Sequence, residues 1–199
     1  MITVAVTFYE GGKQSAHEAG ISLRNAMLSS LLPSLKDSDF CTLPHGKPAL
    51  LSGDIGFSVS HSGNAVCCAV ASRRPAAIPD GCLSFTLPCD NQNEVGVDIE
   101  LVRPRPAERR RKIAKRFWSA LEAAAAGDDL IKFYEIHTKK EALCKLSGLG
   151  LKDYRRCTLS ETVAQFYSKT LTLGGEEYIL SVAFYRECGK RLENQTVLR

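Results

Sequence analysis

The sequence predicts an α+β protein built as two α/β halves. Three observations carry this. The chain has 199 residues, enough for one large domain or two small ones with a real core. Stretches of alternating or continuous apolar residues, which read as strands, are interspersed with longer stretches of helical period. Their order runs β-α-β-β and then β-α-α-β-β-β with a break near residue 95, so the halves are taken as residues 1–95 and 96–199.

The elements follow in order. Residues 2–8 alternate enough for a short strand. In 15–32, Ala16, Ala19, Leu23, Met27 and Leu31 fall near one helical face, and Pro33 ends the helix because it cannot supply a helical N–H. The polar stretch with Pro44, Gly46 and Pro48 reads as loop. Ile55, Phe57 and Val59 alternate as a strand, AVCCAVA (65–71) is a more fully buried one, and Ser62-Gly63-Asn64 turns between them. Residues 72–94, rich in Pro, Asp and Asn, form a long connection with a small hairpin around Leu83–Leu87. VGVDIE (95–100) is a strand, and a basic helix starts near Ala107. Residues 129–147 make the best helix, with Phe133, Ile136, Leu143 and Leu146 on its apolar side and Gly148 as the stop. The tail from 154 holds three strand-like runs, with Gly174-Gly175 turning between the last two.

Composition excludes several classes. With 44% hydrophobic and 24% charged residues, the chain is not disordered or collagen-like, and no apolar run reaches the ~20 residues of a membrane span. The N-terminus lacks a basic, then apolar, signal pattern, so a cytoplasmic protein is expected. A formal charge of +4 suits an acidic or phosphate-rich partner but is no nucleic-acid footprint. The 8 cysteines form no CxxC, and several sit in apolar runs, so reduced, mostly buried thiols are expected.

Three constellations could do chemistry. Asp98 and Glu100, two apart on a strand, face the same side of an otherwise apolar segment. Like charges so placed repel unless a cation lies between them, and a hard divalent ion such as Mg²⁺ takes such oxygen ligands. Taken alone, the pair is better explained by a solvated strand end or by ion pairs to Arg103 and Arg105. On the 129–147 helix, His137, Glu141 and Lys145 stand in one line at i, i+4 spacing. That is either a surface ion pair or a carboxylate base and an ammonium clamp. Ser58-Val59-Ser60-His61-Ser62-Gly63 adds hydroxyls, an imidazole and turn amides, which bind phosphate or simply build a turn. The basic stretch Arg103 to Arg116 reads as a solvated helix face.

In this order and spacing, Gly46-Lys47-Pro48, Ser-His-Ser-Gly (60–63), Gly-Val-Asp-Ile-Glu (96–100), Arg-Phe-Trp-x-x-x-Glu (116–122) and Lys-Lys-Glu-Ala-x-x-Lys (139–145) with Gly148 and Gly150 resemble the 4′-phosphopantetheinyl transferase superfamily, in its monomeric form. The resemblance runs from about residue 15 to the final strands. It implies a pseudo-dimer of two similar α/β halves with coenzyme A in the cleft between them. It implies a magnesium-dependent transfer of 4′-phosphopantetheine from coenzyme A to a serine of an apo acyl or peptidyl carrier protein, leaving adenosine 3′,5′-bisphosphate. By the same resemblance Asp98, Glu100 and Glu141 hold the metal. Glu141 is also the base, and Lys145 contacts the phosphates. Lys47, Pro48, Ser60 and His61, with Asp98 and Lys145, bind the coenzyme. Ser58 stands where the family usually has Asn, and His137 where it usually has another aromatic. Those departures keep open a non-catalytic coenzyme or carrier-binding module, and the carboxylates alone would also suit a magnesium-dependent phosphohydrolase.

Overall fold

The structure, a computed structural model, describes residues 1–9, 13–89, 93–149 and 151–185; Gly150 and Cys188 lie outside them. The chain runs β1 (Ile2–Phe8), α1 (Lys13–Ser29), the short strands β2 (Phe40–Thr42) and β3 (Pro48–Leu50), then β4 (Gly56–Ser62), β5 (Ala65–Ala71) and β6 (Leu83–Leu87). It continues with β7 (Gly96–Leu101), α2 (Ala107–Phe117), α3 (Ala120–Ala126), α4 (Leu130–Ser147), β8 (Gln165–Leu173) and β9 (Glu176–Phe184). One antiparallel sheet has the order β4-β5-β1-β6 and another β7-β9-β8, while β2 and β3 pair alone.

Period-2 alternation decides the layering. Ile2, Val4 and Val6 of β1 and Cys67 and Ala69 of β5 meet Val97, Ile99, Leu180 and Val182 of the second sheet in one buried cluster. The opposite face of the first sheet, with Ala5, Val66, Cys68 and Val70, is covered by Leu23, Met27 and Leu28 of α1. The opposite face of the second, with Ile179 and Ala183, is covered by Phe133, Ala142 and Leu146 of α4. The molecule is therefore layered helix, sheet, sheet, helix. Because Val97, Ile99 and Leu101 face the central core, Asp98 and Glu100 must face α4. Gly96 lets that helix come close: a Cβ there would lie 1.9 Å from the Ala142 carbonyl oxygen.

The two sheets are also stitched edge to edge. Ser58, Ser60 and Ser62 of β4 project toward β7. Val97 N–H donates to Ser58 Oγ at 3.1 Å and Leu101 N–H to Ser62 Oγ at 3.1 Å. Side-chain hydroxyls thus accept what a neighbouring strand's carbonyls would otherwise take.

Most elements lie where the sequence pattern puts them, and four differ. The 34–54 loop contains the β2–β3 pair. Leu83–Leu87 is a single strand on the free edge of β1, not a hairpin. The Ala-rich stretch forms α3, held by a capping box in which Ser119 and Glu122 bond each other's backbone N–H. Among the described residues the tail has two strands rather than three, since 151–156 and 159–161 are short 3₁₀ turns. They are tied down by a buried ion pair: Lys140 Nζ lies 3.0 Å from Glu122 Oε2 and also donates to the Cys157 carbonyl, while Leu159 N–H donates to Glu122 Oε1 at 2.7 Å. The 103–116 stretch is mostly solvated, with exposed pairs such as Lys112–Glu108. Arg110 is the exception, buried with bonds to the carbonyls of Arg105 and Asp128.

Candidate active site

At the junction of β4, β7 and α4 lies an acid–base cluster. Asp98 is 3% exposed. Its Oδ1 accepts from Ser60 Oγ at 2.7 Å and from Lys145 Nζ at 2.7 Å, and the ammonium also donates to Ser60 Oγ at 2.7 Å. The chain itself therefore supplies one cation here, the lysine of α4 bonded to Asp98. Arg105 acts from farther off: its guanidinium lies over the rings of Phe133 and Tyr134, and its charge favours the ionised form of Glu100. Burial alone would lower the Lys145 pKa, but the charge of Asp98 and its hydrogen bond outweigh it, and the net shift is upward.

The remaining carboxylates are less well compensated. Glu100, half-buried, accepts from Ser62 Oγ at 2.9 Å, and burial followed by the charge of Asp98 raises its pKa. Glu141 is pushed up to about 7 by burial, with Asp98 and Glu100 adding to it and Lys145 opposing. Its Oε1 lies 3.7 Å from His137 Nε2. Asp98 Oδ2 is buried with no hydrogen-bond partner.

This arrangement tests a divalent cation on its own terms. Three carboxylates face a single ammonium, and one buried oxygen is orphaned. All the donors are oxygens, the chemistry of Mg²⁺. Among the described residues, no three His, Cys, Asp or Glu side chains are grouped closely enough to form a finished metal site. The donors fit an ion that takes part of its shell from water and substrate phosphates rather than a closed protein cage.

The other sequence candidates line a cleft beside this cluster. A cavity of about 260 Å³ is bordered by Lys47, Pro48, Ser58, Val59, Lys145 and Gly148. It adjoins one of about 200 Å³ that shares Pro48, Phe57 and Val59 and is closed by His17, Arg24 and His61. Lys47 does not reach the acidic cluster: its Nζ donates to the Leu146 carbonyl at 3.1 Å, and burial lowers its pKa to about 8. The structure thus brings Ser60, Asp98, Glu100, Glu141 and Lys145 together. It sets Lys47, Pro48 and His61 along the adjoining cleft.

Sequence reasoning missed His17 and Arg24, which line the His61 end and stand seven apart on α1, a spacing that puts both on one helix face. It also missed Ser62 as the partner of Glu100, although Ser58, Ser60 and Ser62 carry the period of a strand face. The role of Trp118 and Tyr154 was not legible. Trp118 stacks near Phe133, with centroids 5.0 Å apart, and its indole N–H donates to the Tyr154 hydroxyl at 3.3 Å.

Fold and site define a two-sheet α/β protein with a carboxylate–lysine cluster beside a cleft between β4 and the end of α4. The family profile of the 4′-phosphopantetheinyl transferase superfamily matches residues 94–187, the span holding β7, α4 and the carboxylates. Over this span the chain is similar to that superfamily. It is 28% identical over 148 residues to the 4′-phosphopantetheinyl transferase Sfp of Bacillus subtilis, covering 70% of this chain and 55% of the relative. It is 31% identical over 109 residues to the 4′-phosphopantetheinyl transferase AcpT of Salmonella typhimurium, covering 52% of this chain and 46% of the relative. The chain spans about half the length of these curated relatives. Among the described residues, no helix is long and apolar enough to cross a membrane.

Proposed function

We propose that the protein transfers 4′-phosphopantetheine from coenzyme A to the serine hydroxyl of an apo acyl or peptidyl carrier protein, in the cytoplasm and as a monomer. The observation that carries this reading is the cluster of Asp98, Glu100, Glu141 and Lys145, whose lysine also borders a cleft with Lys47 and Pro48 that adjoins the His61 cavity. Asp98, Glu100 and Glu141 would hold Mg²⁺. When bound, the ion would neutralise charge on the pyrophosphate during phosphoryl transfer.

The chain's own residues account for the rest. Glu141, with a carboxyl near pH 7, is poised to accept the serine proton. Lys145, held charged beside Asp98, would turn its ammonium to the phosphate that carries the developing negative charge. Ser60 orients both partners of that pair through its single hydroxyl. The basic end of the cleft at His61, with His17 and Arg24, suits the 3′-phosphoadenosine end of the coenzyme. Lys47 and Pro48 would border its diphosphate side.

We further propose that residues 1–95 and 96–199 are a pseudo-dimer. The support is topological: β1-α1-β4-β5 gives the strand order β4-β5-β1, and β7-α4-β8-β9 gives β8-β9-β7, the same order in each half. Incubating the protein with coenzyme A, Mg²⁺ and an apo carrier, then weighing the carrier, tests the function. A mass gain of one phosphopantetheine is expected. Coenzyme binding without such a gain would instead favour a binding module, and coenzyme cleavage without an acceptor a phosphohydrolase.

A further inference from the structure

One turn before Glu141 on its own helix stands His137, and that ring is itself held by a chain of donors. His137 Nε2 lies 3.7 Å from Glu141 Oε1, while His137 Nδ1 is 2.9 Å from the Tyr154 hydroxyl. That hydroxyl accepts from the indole N–H of Trp118 at 3.3 Å. The imidazole ring lies nearly parallel to Phe133, at 12° with centroids 6.1 Å apart.

The hydrogen placement follows from satisfaction of buried donors. An indole nitrogen can only donate, so Trp118 occupies a lone pair of the Tyr154 oxygen. Tyr154 is 8% exposed, and its own proton needs an acceptor, which His137 Nδ1 supplies. With Nδ1 accepting, the neutral ring carries its hydrogen on Nε2. The same tautomer suits the other side of the ring, where an ionised Glu141 carboxylate would repel a bare Nε2 lone pair. At 3.7 Å the Nε2–Glu141 contact is longer than a hydrogen bond. It is a charge–dipole contact, which a small side-chain rotation would convert to a bond.

We propose that His137 is a positioning residue for Glu141. Trp118 and Tyr154 lock its tautomer, and its Nε2–H engages Oε1, leaving Oε2 as the oxygen that takes the serine proton. The claim about Glu141's task rests on the transfer reading above; the claim about the tautomer does not. The bond pattern also gives a purpose to Trp118 and Tyr154 beyond packing, since each supplies the donor that the next group needs.

Two measurements on the full chain separate these claims. Nitrogen-15 correlation spectra of the metal-free, histidine-labelled protein should show His137 with Nε2 protonated and Nδ1 bare, and Tyr154→Phe should release it to a mixture of tautomers. A His137 protonated on Nδ1, or a Tyr154→Phe spectrum unchanged from wild type, overturns the proposal whatever the protein catalyses. In the carrier assay, His137→Phe keeps a stacking ring without a donor and should lower kcat by about 10–100-fold, the usual effect of removing an outer-shell partner. Its KM for coenzyme A should stay within about twofold, and His137→Gln, which keeps an N–H near the Nε2 position, should recover part of the loss. Full kcat in His137→Phe, or no advantage of Gln over Phe, refutes the positioning role. If wild type itself transfers nothing, the transfer reading fails while the spectra still decide the tautomer.

Discussion

Glu141→Gln should make the protein more stable at alkaline pH while abolishing transfer. The Glu141 carboxyl lies 18% exposed and is raised from 4.5 to about 7, first by burial and then by Asp98. Between those values the native state holds a proton that the unfolded chain has released, so stability falls as pH rises through the window. At about 1.4 kcal/mol per pH unit, the wild type should lose about 3 kcal/mol relative to the Gln variant between pH 4.5 and pH 7, with no further divergence above that. Urea unfolding of both proteins in metal-free buffer, at pH 4.5, 6, 7 and 8.5, gives the difference directly. Saturating Mg²⁺ should flatten the wild-type slope, because a bound cation removes the reason for the carboxyl to stay protonated. A pH-independent difference between the two proteins would refute the claim that Glu141 sits in an uncompensated acidic site.

Lys145→Met should cost about 2–4 kcal/mol by stranding the buried Asp98 carboxylate, and adding Asp98→Asn should restore at least half of that in urea unfolding. Strict additivity of the two changes would mean that the 2.7 Å pair contributes no coupling. Ser58→Ala should lower stability by about 1–2 kcal/mol, because the buried Val97 N–H loses its acceptor, and a thermal melt equal to wild type would argue against the serine seam. Calorimetry should find coenzyme A binding tighter in Mg²⁺ than in EDTA, and equal affinities would remove the metal from the proposed function.

The site was legible to the extent that it depends on local period. Alternation put Asp98 and Glu100 on one strand face, and the i, i+4 spacing put His137, Glu141 and Lys145 on one helix face. What period cannot give is which face meets which. That the helix line lies over the strand pair depends on Gly96, whose missing side chain admits α4 to β7. Period also leaves unseen the ammonium that α4 brings to Asp98, which the fold adds to the carboxylates. On the sequence alone, removing a charge from the Asp98–Glu100 pair should relieve repulsion. In the structure Asp98→Asn instead takes the counter-ion from Lys145, and the expected sign reverses. The tail was misread for a related reason. Residues 151–161 are turns held by the buried Glu122–Lys140 pair, a contact between distant segments that leaves no periodic trace.

The Asp98–Lys145 pair also bears on how a coenzyme and a cation would share this cleft. The ammonium is charge-balanced by Asp98 Oδ1, yet Asp98 Oδ2, Glu100 and Glu141 remain in excess of positive charge. A diphosphate entering the Lys47–Lys145 cleft would compete with Asp98 for the same ammonium. Each step of Lys145 toward phosphate would return negative charge to the carboxylates and raise their affinity for a divalent ion. A divalent ion on the carboxylates would in turn weaken their hold on Lys145 and release it to the phosphate. The two ligands are then coupled through one lysine, and the coupling must be reciprocal. Ser60 stands at the centre of this exchange: it bonds Asp98 and Lys145 at once and belongs to the other sheet. The charge balance of the carboxylate cluster is thereby tied to the β4 edge, where His61 also stands, and depends on contact between the two sheets.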